Sequence, residues 1–276
     1  MLVGGRGHLL VESVKEDTKA GGTLFKAITF DFWNTLYKGP GANDVTEKRI
    51  ELVQKVLQEG GLSSDRRAIT RAFKRCWQRA YFYQRINGLE ITPRGHVECI
   101  KKELGLKLDP ELDEKLYRAY TQALLKAPPE LNDGARDVLQ ELKERYRLAV
   151  ICNTGATPGL ILRKLMAADG ILGYFDLTVF SDEVTWAKPN IRIFRYTLQR
   201  LGVNPYEAVH VGDDTITDVI GAKRAGMKAV WIFPQANQPV PECDWHIRDL
   251  RELRQIFGKA VEFGGSEKCS RKFGVE

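Results

Sequence analysis

The stretch FKAITFDFWNTL, residues 25 to 36, indicates the fold of this 276-residue chain. Its first half carries the aliphatic and aromatic side chains of a buried strand, residues 25–30, and the strand ends directly at Asp31. Most of the later apolar runs are nearly continuous, which is typical of parallel strands that are buried on both faces. These runs comprise residues 148–152, 177–180, 208–211 and 229–233.

Helical patterns alternate with these strands. They comprise residues 133–146, 157–168, 190–201 and 217–225. An alternating order of strands and helices is typical of a parallel sheet with helices on its faces. The sequence therefore predicts an α/β domain with a doubly wound, Rossmann-like parallel sheet.

One long segment, residues 44–126, breaks the alternation because it offers helical patterns and no strand. The expected helices comprise residues 44–58, 64–85, 93–104 and a fourth that begins at Asp109-Pro110, an N-cap residue followed by proline. In residues 64–85 apolar side chains recur at helical spacing, and arginines occupy the opposite face. We therefore expect a helical domain inserted after the first strand.

The expected domain boundaries follow from this organisation. The α/β core comprises residues 24–40 and 128–256, and the helical cap comprises residues 41–127. Residues 1–23 and 257–276 are predicted to be a flexible N-terminal extension and a C-terminal tail, because both are glycine-containing and polar.

Composition sets limits on the class of protein. A hydrophobic content of 43% is enough to bury a full core. The longest apolar runs hold about five residues, whereas a membrane helix needs roughly 20. The N-terminus lacks the apolar stretch of a signal peptide, so we expect a cytoplasmic protein without membrane contact. A net charge of +6 is compatible with nucleic acid, an anionic membrane or a small anionic substrate, and does not choose among them.

The five cysteines are widely spaced, with no CxxC pair and no nearby histidines. This pattern indicates no zinc site and predicts reduced, unpaired thiols. The cysteines are Cys76, Cys99, Cys152, Cys243 and Cys269.

Chemically reactive side chains follow the predicted strands at the points where the strands end. Asp31 ends the first strand, and Lys188 follows the third in the loop before Pro189. In open α/β sheets ligands bind at the carboxyl ends of the strands, so we expect these residues to converge. The other members of the set are Cys152-Asn153-Thr154 after the second strand and Gly212-Asp213-Asp214 after the fourth.

Four segments in one order carry a specific resemblance: FDFWNTL, LAVICNTG, SDEVTWAKPNIRIF and VGDDTITDVIGAKRAGM. In order and spacing they resemble the motifs of the haloacid dehalogenase-like (HAD) superfamily, whose members are mostly phosphatases. The resemblance covers about residues 25–233. It implies that the helical insertion is the family's cap and that the protein is a hydrolase.

The resemblance implies a role for each reactive residue. Asp31 would be the nucleophile that forms an aspartyl-phosphate with a small phosphorylated substrate. Lys188 would neutralise charge on the phosphoryl oxygens and keep Asp31 ionised. Cys152, Asn153 and Thr154 would bind phosphate, although a thiol stands where the family usually has Ser or Thr.

A magnesium ion is the implied cofactor, because a carboxylate nucleophile and a phosphate repel each other unless a hard cation lies between them. The expected ligands are Asp31, Asp213 and the main-chain carbonyl of Trp33. Asp214 and Asp218 are both candidates for a further ligand, and the sequence does not separate them.

Trp33 is the main departure from the phosphatase pattern, because the phosphatases have an aspartate there that acts as general acid and base. The dehalogenase branch resembles this chain in having an aromatic residue at that position, but it needs no metal and lacks the Gly-Asp pair that Gly212 and Asp213 form here. Phosphoryl chemistry is therefore favoured. A 2-haloacid dehalogenase-like hydrolase and a catalytically idle binding protein remain as alternatives.

The sequence is less informative about partners. Arginines and aromatic residues share the second cap helix, but helical periodicity assigns the aromatics to packing, so we expect no nucleic-acid partner. Substrate specificity is expected to come from cap residues, with Trp77, Tyr81, Tyr83 and Arg85 as open candidates. The oligomeric state stays open.

Overall fold

A central parallel sheet organises the computed structural model, which describes residues 25–39, 45–62, 65–235, 240 and 242–258. The sheet has six strands in the order β3-β2-β1-β4-β5-β6, all parallel. This confirms the predicted α/β fold class. The strands are β1 Ala27–Phe30, β2 Arg147–Cys152, β3 Leu177–Phe180, β4 Ala208–Gly212, β5 Lys228–Ile232 and β6 Trp245–Ile247.

Ten α-helices, among the described residues, surround the sheet or lie in the insertion after β1. They are α1 Val45–Glu59, α2 Arg66–Asn87, α3 Pro93–Leu104, α4 Pro110–Thr121, α5 Ala135–Lys143, α6 Gly159–Ala168, α7 Ser181–Val184, α8 Ile191–Leu201, α9 Gly221–Arg224 and α10 Leu253–Phe257. A π-helical turn, Thr215–Ile220, joins β4 to α9.

The strand register brings the ends of the three central strands to one level. Phe30 pairs with Val150 of β2 and with Val211 of β4. The chain leaves β1 at Asp31, whose main-chain N–H still donates to the carbonyl of Val211 at 2.8 Å. Asp31 therefore lies in the middle of the carboxyl edge of the sheet.

Both faces of the sheet are covered, which explains why its strands are nearly continuous apolar runs. Ile28 and Val150 belong to one hydrophobic cluster and Ala27 and Ile151 to the other, because side chains alternate between the two faces of a strand. The central strands are thus anchored on both sides, and the residues that follow them have little freedom.

The helical insert, α1 to α4, has a hydrophobic cluster of its own. Ile50, Phe73, Ile100 and Leu116 come from its four helices and are each at most 7% exposed. The insert follows β1, as predicted. The division into domains at residues 41 and 128 stays a prediction.

The prediction of unpaired cysteines was wrong for two of the five. Cys76 of α2 and Cys99 of α3 form a disulfide, with their Cα atoms 5.9 Å apart. The two residues are 23 positions apart in sequence, and only the packing of α2 against α3 brings them together. Cys152 and Cys243 are buried and form no disulfide within the described residues, and Cys269 lies outside them.

Some expectations fall at or beyond the edges of the structure. β6 was missed because three residues are too short to show a strand pattern. The predicted N-terminal extension and most of the C-terminal tail, residues 1–23 and 259–276, lie outside the described residues. Across the described part of the chain, no helix has the length and apolar character needed to cross a bilayer.

Candidate active site

Three carboxylates meet at the carboxyl edge of the sheet. Asp31 follows β1, Asp213 follows β4, and Asp218 lies in the π-helical turn. One oxygen atom from each lies within 4.8 Å of the others. Asp31 is 7% exposed and Asp218 is 1% exposed, so the charges of this cluster are poorly solvated.

Lys188 lies within the carboxylate cluster. Its Nζ donates to Oδ1 of Asp31 and to Oδ1 of Asp218, both at 2.6 Å, and the residue is 1% exposed. Asn153 fixes the backbone on either side of this contact: its Oδ1 accepts from the main-chain N–H of Lys188 at 2.8 Å, and its Nδ2 donates to the Lys188 carbonyl at 2.9 Å. The predicted meeting of Asp31, Lys188 and Asn153 is thus observed.

Local backbone features allow the carboxylates to approach so closely. A Cβ atom at Gly212 would lie 2.4 Å from the carboxyl carbon of Asp218, so only glycine fits at the end of β4. Asn34 has a φ of 55°, in the left-handed region that asparagine tolerates better than most residues. From there its Nδ2 donates to Oδ2 of Asp213 at 2.9 Å.

Asp214 and Asp218, which the sequence did not separate, have different surroundings. Asp214 accepts from the main-chain N–H groups of Ile216 and Thr217 and forms an ion pair with Arg85 of α2 at 2.6 Å. It therefore caps the π-helical turn and contacts the helical insert. Asp218, not Asp214, belongs to the carboxylate cluster.

The pKa values of the cluster reflect its burial first and its excess of negative charge second. Burial, assisted by repulsion from Asp218 and Asp213, raises the pKa of Asp31 to about 8. Burial and the charge of Asp218 raise the pKa of Asp213 to about 7. Burial acts in the same direction on Asp218, but the charge of Lys188 and the hydrogen bonds from His210 and Lys188 together outweigh it and hold the pKa of Asp218 below its usual range. The single positive charge of Lys188 thus balances one of the three carboxylates, and the other two have no counter-charge in the cluster.

A divalent cation with oxygen ligands fits this arrangement. Magnesium binds oxygen at about 2.0–2.1 Å, so ligand oxygens around one ion lie roughly 3–4 Å apart. One oxygen from each of the three carboxylates lies within 4.8 Å of the others, so the three are close enough to approach a shared ion. Within the described part of the chain, no donor is hydrogen-bonded to Oδ2 of Asp31 or to Oδ1 of Asp213. Asp31 and Asp213 therefore have oxygens available for a metal. Both oxygens of Asp218 already accept hydrogen bonds, from Lys188, His210 and the N–H of Asp214.

The residues predicted to bind phosphate differ in how they are placed. Cys152 is fully buried, and its thiol lies 3.5 Å from the carbonyl oxygen of Asn153. The hydroxyl of Thr154 contacts Oγ of Ser181 at 3.2 Å and a carboxylate oxygen of Glu90 at 3.5 Å. Glu90, a buried residue that follows α2, was not identified from the sequence, since a lone glutamate after a helix carries no signal.

A cavity of about 730 Å³ lies between the helical insert and the core. Trp33, Asn34 and Thr154 line it on the core side. Asp31 and Asp213 are not among its lining residues, but Asn34 donates to Asp213, so the cavity ends next to the carboxylate cluster. On the insert side the lining includes Arg49, Phe73, Trp77, Tyr81, His96 and Tyr120.

The four residues of the insert that were expected as candidate substrate contacts fall into two groups, those that line the cavity and those that do not. Trp77 and Tyr81 line the cavity and stack on each other with ring centroids 5.4 Å apart. Tyr83 is not among the lining residues, and Arg85 is engaged by Asp214. Trp33, which lies two residues after Asp31 in the sequence, also lines the cavity.

The acid stability of the protein should depend on His96. Burial, assisted by the positive charge of Arg49, lowers the pKa of His96 to about 4 from its usual 6.5. A depressed histidine pKa contributes stability that is complete above pH 6.5 and is lost as the pH falls to 4, because only the unfolded chain binds the proton. The loss amounts to about 3 kcal/mol.

Between pH 7.5 and pH 4 the free energy of unfolding should therefore fall by about 3 kcal/mol less in His96→Gln than in the unmodified protein. Urea unfolding at the two pH values measures the difference. All other titrating groups are common to both proteins, so equal losses in the two would contradict the prediction.

The comparison with known families agrees with this site. A family model described as haloacid dehalogenase-like hydrolase matches residues 25–226. The chain belongs to the haloacid dehalogenase-like hydrolases. The predicted family is thus confirmed, and with it the assignment as a hydrolase.

Similar haloacid dehalogenase-like proteins include named phosphatases. The chain is 31% identical over 215 residues to glyceraldehyde 3-phosphate phosphatase of Methanothermobacter thermautotrophicus, covering 76% of this chain and 86% of that protein. It is 37% identical over 146 residues to phosphoserine phosphatase of Thermus thermophilus, covering 52% of this chain and 57% of that protein. A solved HAD phosphatase from Thermococcus onnurineus is 28% identical, with a TM-score of 0.59, and the match covers 85% of this chain and 98% of the other.

Proposed function

We propose that this haloacid dehalogenase-like hydrolase is a magnesium-dependent phosphatase that acts on a small phosphorylated compound through an aspartyl-phosphate on Asp31. The observation that carries the proposal is the cluster of the buried Asp31 and Asp218 and the half-buried Asp213, with Lys188 inside it. A cluster with two uncompensated carboxylates is costly without a cation, and a strand-end carboxylate beside a lysine is suited to attack phosphorus. The phosphatase names of its relatives give further support.

In the proposed reaction the carboxylate of Asp31 attacks phosphorus, and the bond from phosphorus to the leaving-group oxygen breaks. Water then attacks the aspartyl-phosphate, releases inorganic phosphate and restores the carboxylate. Lys188 lowers the pKa of Asp31 against the effect of burial, so that Lys188 and a bound magnesium ion together would keep Asp31 ionised, and Lys188 offsets charge on the phosphoryl oxygens. Magnesium, held by Asp31, Asp213 and the carbonyl of Trp33, would supply charge neutralisation between carboxylate and phosphate.

Asp218 acts through other residues in this proposal. Its oxygens hold Lys188 at 2.6 Å and accept from the main-chain N–H of Asp214 at 3.0 Å. It therefore positions the lysine and the loop that carries Asp213. A contact of Asp218 with the metal would run through a bound water, since its own oxygens already have donors.

A beryllium fluoride adduct tests the proposal directly, because beryllium fluoride bound to an aspartate mimics the aspartyl-phosphate. The protein is soaked or titrated with MgCl₂ and beryllium fluoride, and the adduct is sought on Asp31 by crystallography or fluorine NMR. We expect an adduct that forms with magnesium and disappears on addition of EDTA. Absence of an adduct at saturating concentrations would contradict the covalent mechanism.

Trp33 leads to a prediction about leaving groups. An indole does not transfer protons in the required pH range, so the leaving group must depart without protonation from this position. We expect kcat/KM to fall steeply as the pKa of the leaving group rises, with aryl and acyl phosphates turned over faster than sugar phosphates. Rates for a series of aryl and alkyl phosphates measure the slope.

The matched variants for this prediction are Trp33→Asp and Trp33→Phe. Trp33→Asp should flatten the slope and raise activity on alkyl phosphates by up to about 10²-fold, whereas Trp33→Phe should keep the steep slope. A flat dependence in the unmodified protein would show that another group already supplies the proton.

Trp33 also supports a second candidate, a 2-haloacid dehalogenase, because an aromatic residue at this position resembles that branch. The two candidates differ in their products and in their need for metal. Halide release from 2-chloropropionate that is unaffected by EDTA would favour the dehalogenase. Phosphate release that EDTA abolishes would favour the phosphatase.

A further inference from the structure

The cavity between the helical insert and the core has a largely apolar wall. The insert contributes Val45 and Ile50 of α1 and Phe73, Trp77 and Tyr81 of α2. Trp77 is 53% exposed and Tyr81 is 37% exposed, so their stacked rings leave apolar surface in contact with water. An apolar wall around about 730 Å³ is typical of a site that a ligand of organic character fills.

The cavity lies next to the residues that are predicted to bind phosphate. Asn153 and Thr154 line it on the core side. Asn34 lines it as well, and its Nδ2 donates to Asp213 of the carboxylate cluster. A phosphoryl group bound at Asp31 would therefore leave the organic part of the substrate in this cavity.

Three charged side chains line the cavity, and two of them balance each other. Glu47 and Arg49 have opposite charges and lie two residues apart on α1. Both have partners in the protein, since Glu47 forms an ion pair with Arg66 and Arg49 donates to the main-chain carbonyl of Tyr120. The third, Lys74, is exposed, so water and salt screen its charge. The lining therefore gives an ionic ligand little reason to leave water.

Several polar groups of the lining already have partners as well. The hydroxyl of Thr70 donates to the carbonyl of Arg66 at 2.8 Å, and the side-chain amide of Gln84 donates to the carboxylate of Glu90 at 2.9 Å. His96 stays uncharged at neutral pH, because burial lowers its pKa to about 4. Polar groups with partners gain little from a ligand, whereas the apolar wall gains from any apolar surface that displaces water.

We propose that the cavity binds an uncharged, apolar organic group, and that this group is the leaving group of the substrate. The inference rests on the proposed function, because it specifies which phosphate ester the site at Asp31 hydrolyses. The substrate class is thus a phosphate monoester of an apolar alcohol or phenol. Larger apolar groups should bind tighter until the cavity is full, since each buried methylene group contributes a similar free energy.

A series of phenols tests the binding part without catalysis. 4-Methylphenol, 4-ethylphenol and 4-propylphenol differ only in the number of methylene groups, and calorimetry measures their binding. We expect the affinity to rise roughly three- to fourfold with each methylene that enters the cavity. 3-(4-Hydroxyphenyl)propionate has the chain length of 4-propylphenol and a carboxylate, and it should bind about tenfold more weakly or worse, because its charge would lose water.

Two aromatic residues of α2 provide a matched pair of variants. Trp77 lines the cavity, whereas Phe82, which is 59% exposed, is not among the lining residues. Trp77→Ala should weaken the binding of 4-propylphenol roughly fivefold, and Phe82→Ala should leave it unchanged. Both side chains are exposed, so both variants should keep the fold, and thermal unfolding checks this before binding is compared.

The phosphate esters of the three alkylphenols test the role in hydrolysis, because their leaving-group pKa values are nearly equal. In the presence of magnesium, kcat/KM should rise along the series by the same factor as the affinity of the phenols, mainly through KM. If the phenols bind as expected and no ester is hydrolysed, the proposed function is overturned and the ligand preference of the cavity stands.

Three results would overturn the inference itself. The first is an affinity that does not rise from 4-methylphenol to 4-propylphenol. The second is tighter binding of the propionate than of 4-propylphenol, which would point to an anionic leaving group. The third is equal binding by Trp77→Ala and Phe82→Ala, which would show that the phenols occupy another surface.

Discussion

Asp31→Asn is expected to abolish hydrolysis, with kcat for 4-nitrophenyl phosphate reduced by at least about 10⁴-fold, as is typical when a covalent nucleophile is removed. The amide has nearly the shape of the carboxylate but cannot form an acyl phosphate. The fold should persist, because Lys188 keeps Asp218 as an ion-pair partner at 2.6 Å. Release of inorganic phosphate in the presence of magnesium gives the rate, and thermal unfolding gives the stability.

Asp137→Asn is the matched control for this change. Asp137 lies exposed on α5, in the same core but outside the carboxylate cluster. The same loss of one negative charge should leave kcat unchanged there. If Asp31→Asn retained more than about 1% of the activity, attack by Asp31 would be excluded and direct attack by water would be favoured.

Lys188→Met is expected to reduce both stability and activity. Asp31 and Asp218 would be left without a cation in a site where Asp218 is 1% exposed, and breaking a buried ion pair in this way costs roughly 3–5 kcal/mol. Removal of a charge that stabilises the phosphoryl oxygens should also lower kcat by about 10²- to 10³-fold. Urea unfolding and steady-state kinetics measure the two effects.

Magnesium provides a further test of the Lys188→Met prediction. A divalent cation bound to Asp31 and Asp213 replaces part of the missing positive charge, so MgCl₂ should raise the unfolding midpoint of Lys188→Met more than that of the unmodified protein. Lys164→Met, an exposed lysine on α6, serves as the control and should change neither stability nor kcat. A stable, active Lys188→Met protein would contradict a role for this lysine in the cluster.

Most of the core fold follows from the sequence because burial on both faces of the sheet leaves a strong pattern. The runs at residues 148–152 and 208–211 match β2 and β4 to within one residue at each end. β6 did not follow, since Trp245, His246 and Ile247 form too short a run to be told from a loop. Its place at the sheet edge depends on pairing with β5, which is a tertiary property.

For the candidate site, the sequence predicted convergence but not detailed surroundings. Asp31 and Asp213 come together because they follow the neighbouring strands β1 and β4, and the loop after β3 and α7 brings Lys188 to them. The order of these segments is visible in the chain. The choice between Asp214 and Asp218 required the π-helical turn, which directs one carboxylate towards Lys188 and the other towards Arg85. Sequence patterns assign a helix to such a turn without stating which side chains it directs inward.

The helical insert held the features that were hardest to predict. His96 is one polar residue in the amphipathic helix α3, and the lack of a hydrogen-bond partner for its Nε2 among the described residues shows only when the helices are packed together. The pairing of Cys76 with Cys99 likewise depends on the side-by-side placement of α2 and α3. In both cases the decisive distance joins residues from different helices, and no local pattern records it.

The disulfide joins two helices that line the cavity. Trp77 and Tyr81 belong to α2 and His96 belongs to α3, and the bond between Cys76 and Cys99 ties these two helices together. The covalent bond limits how far α2 and α3 can separate, so Trp77, Tyr81 and His96 keep their spacing around the cavity that they line for as long as the disulfide is intact.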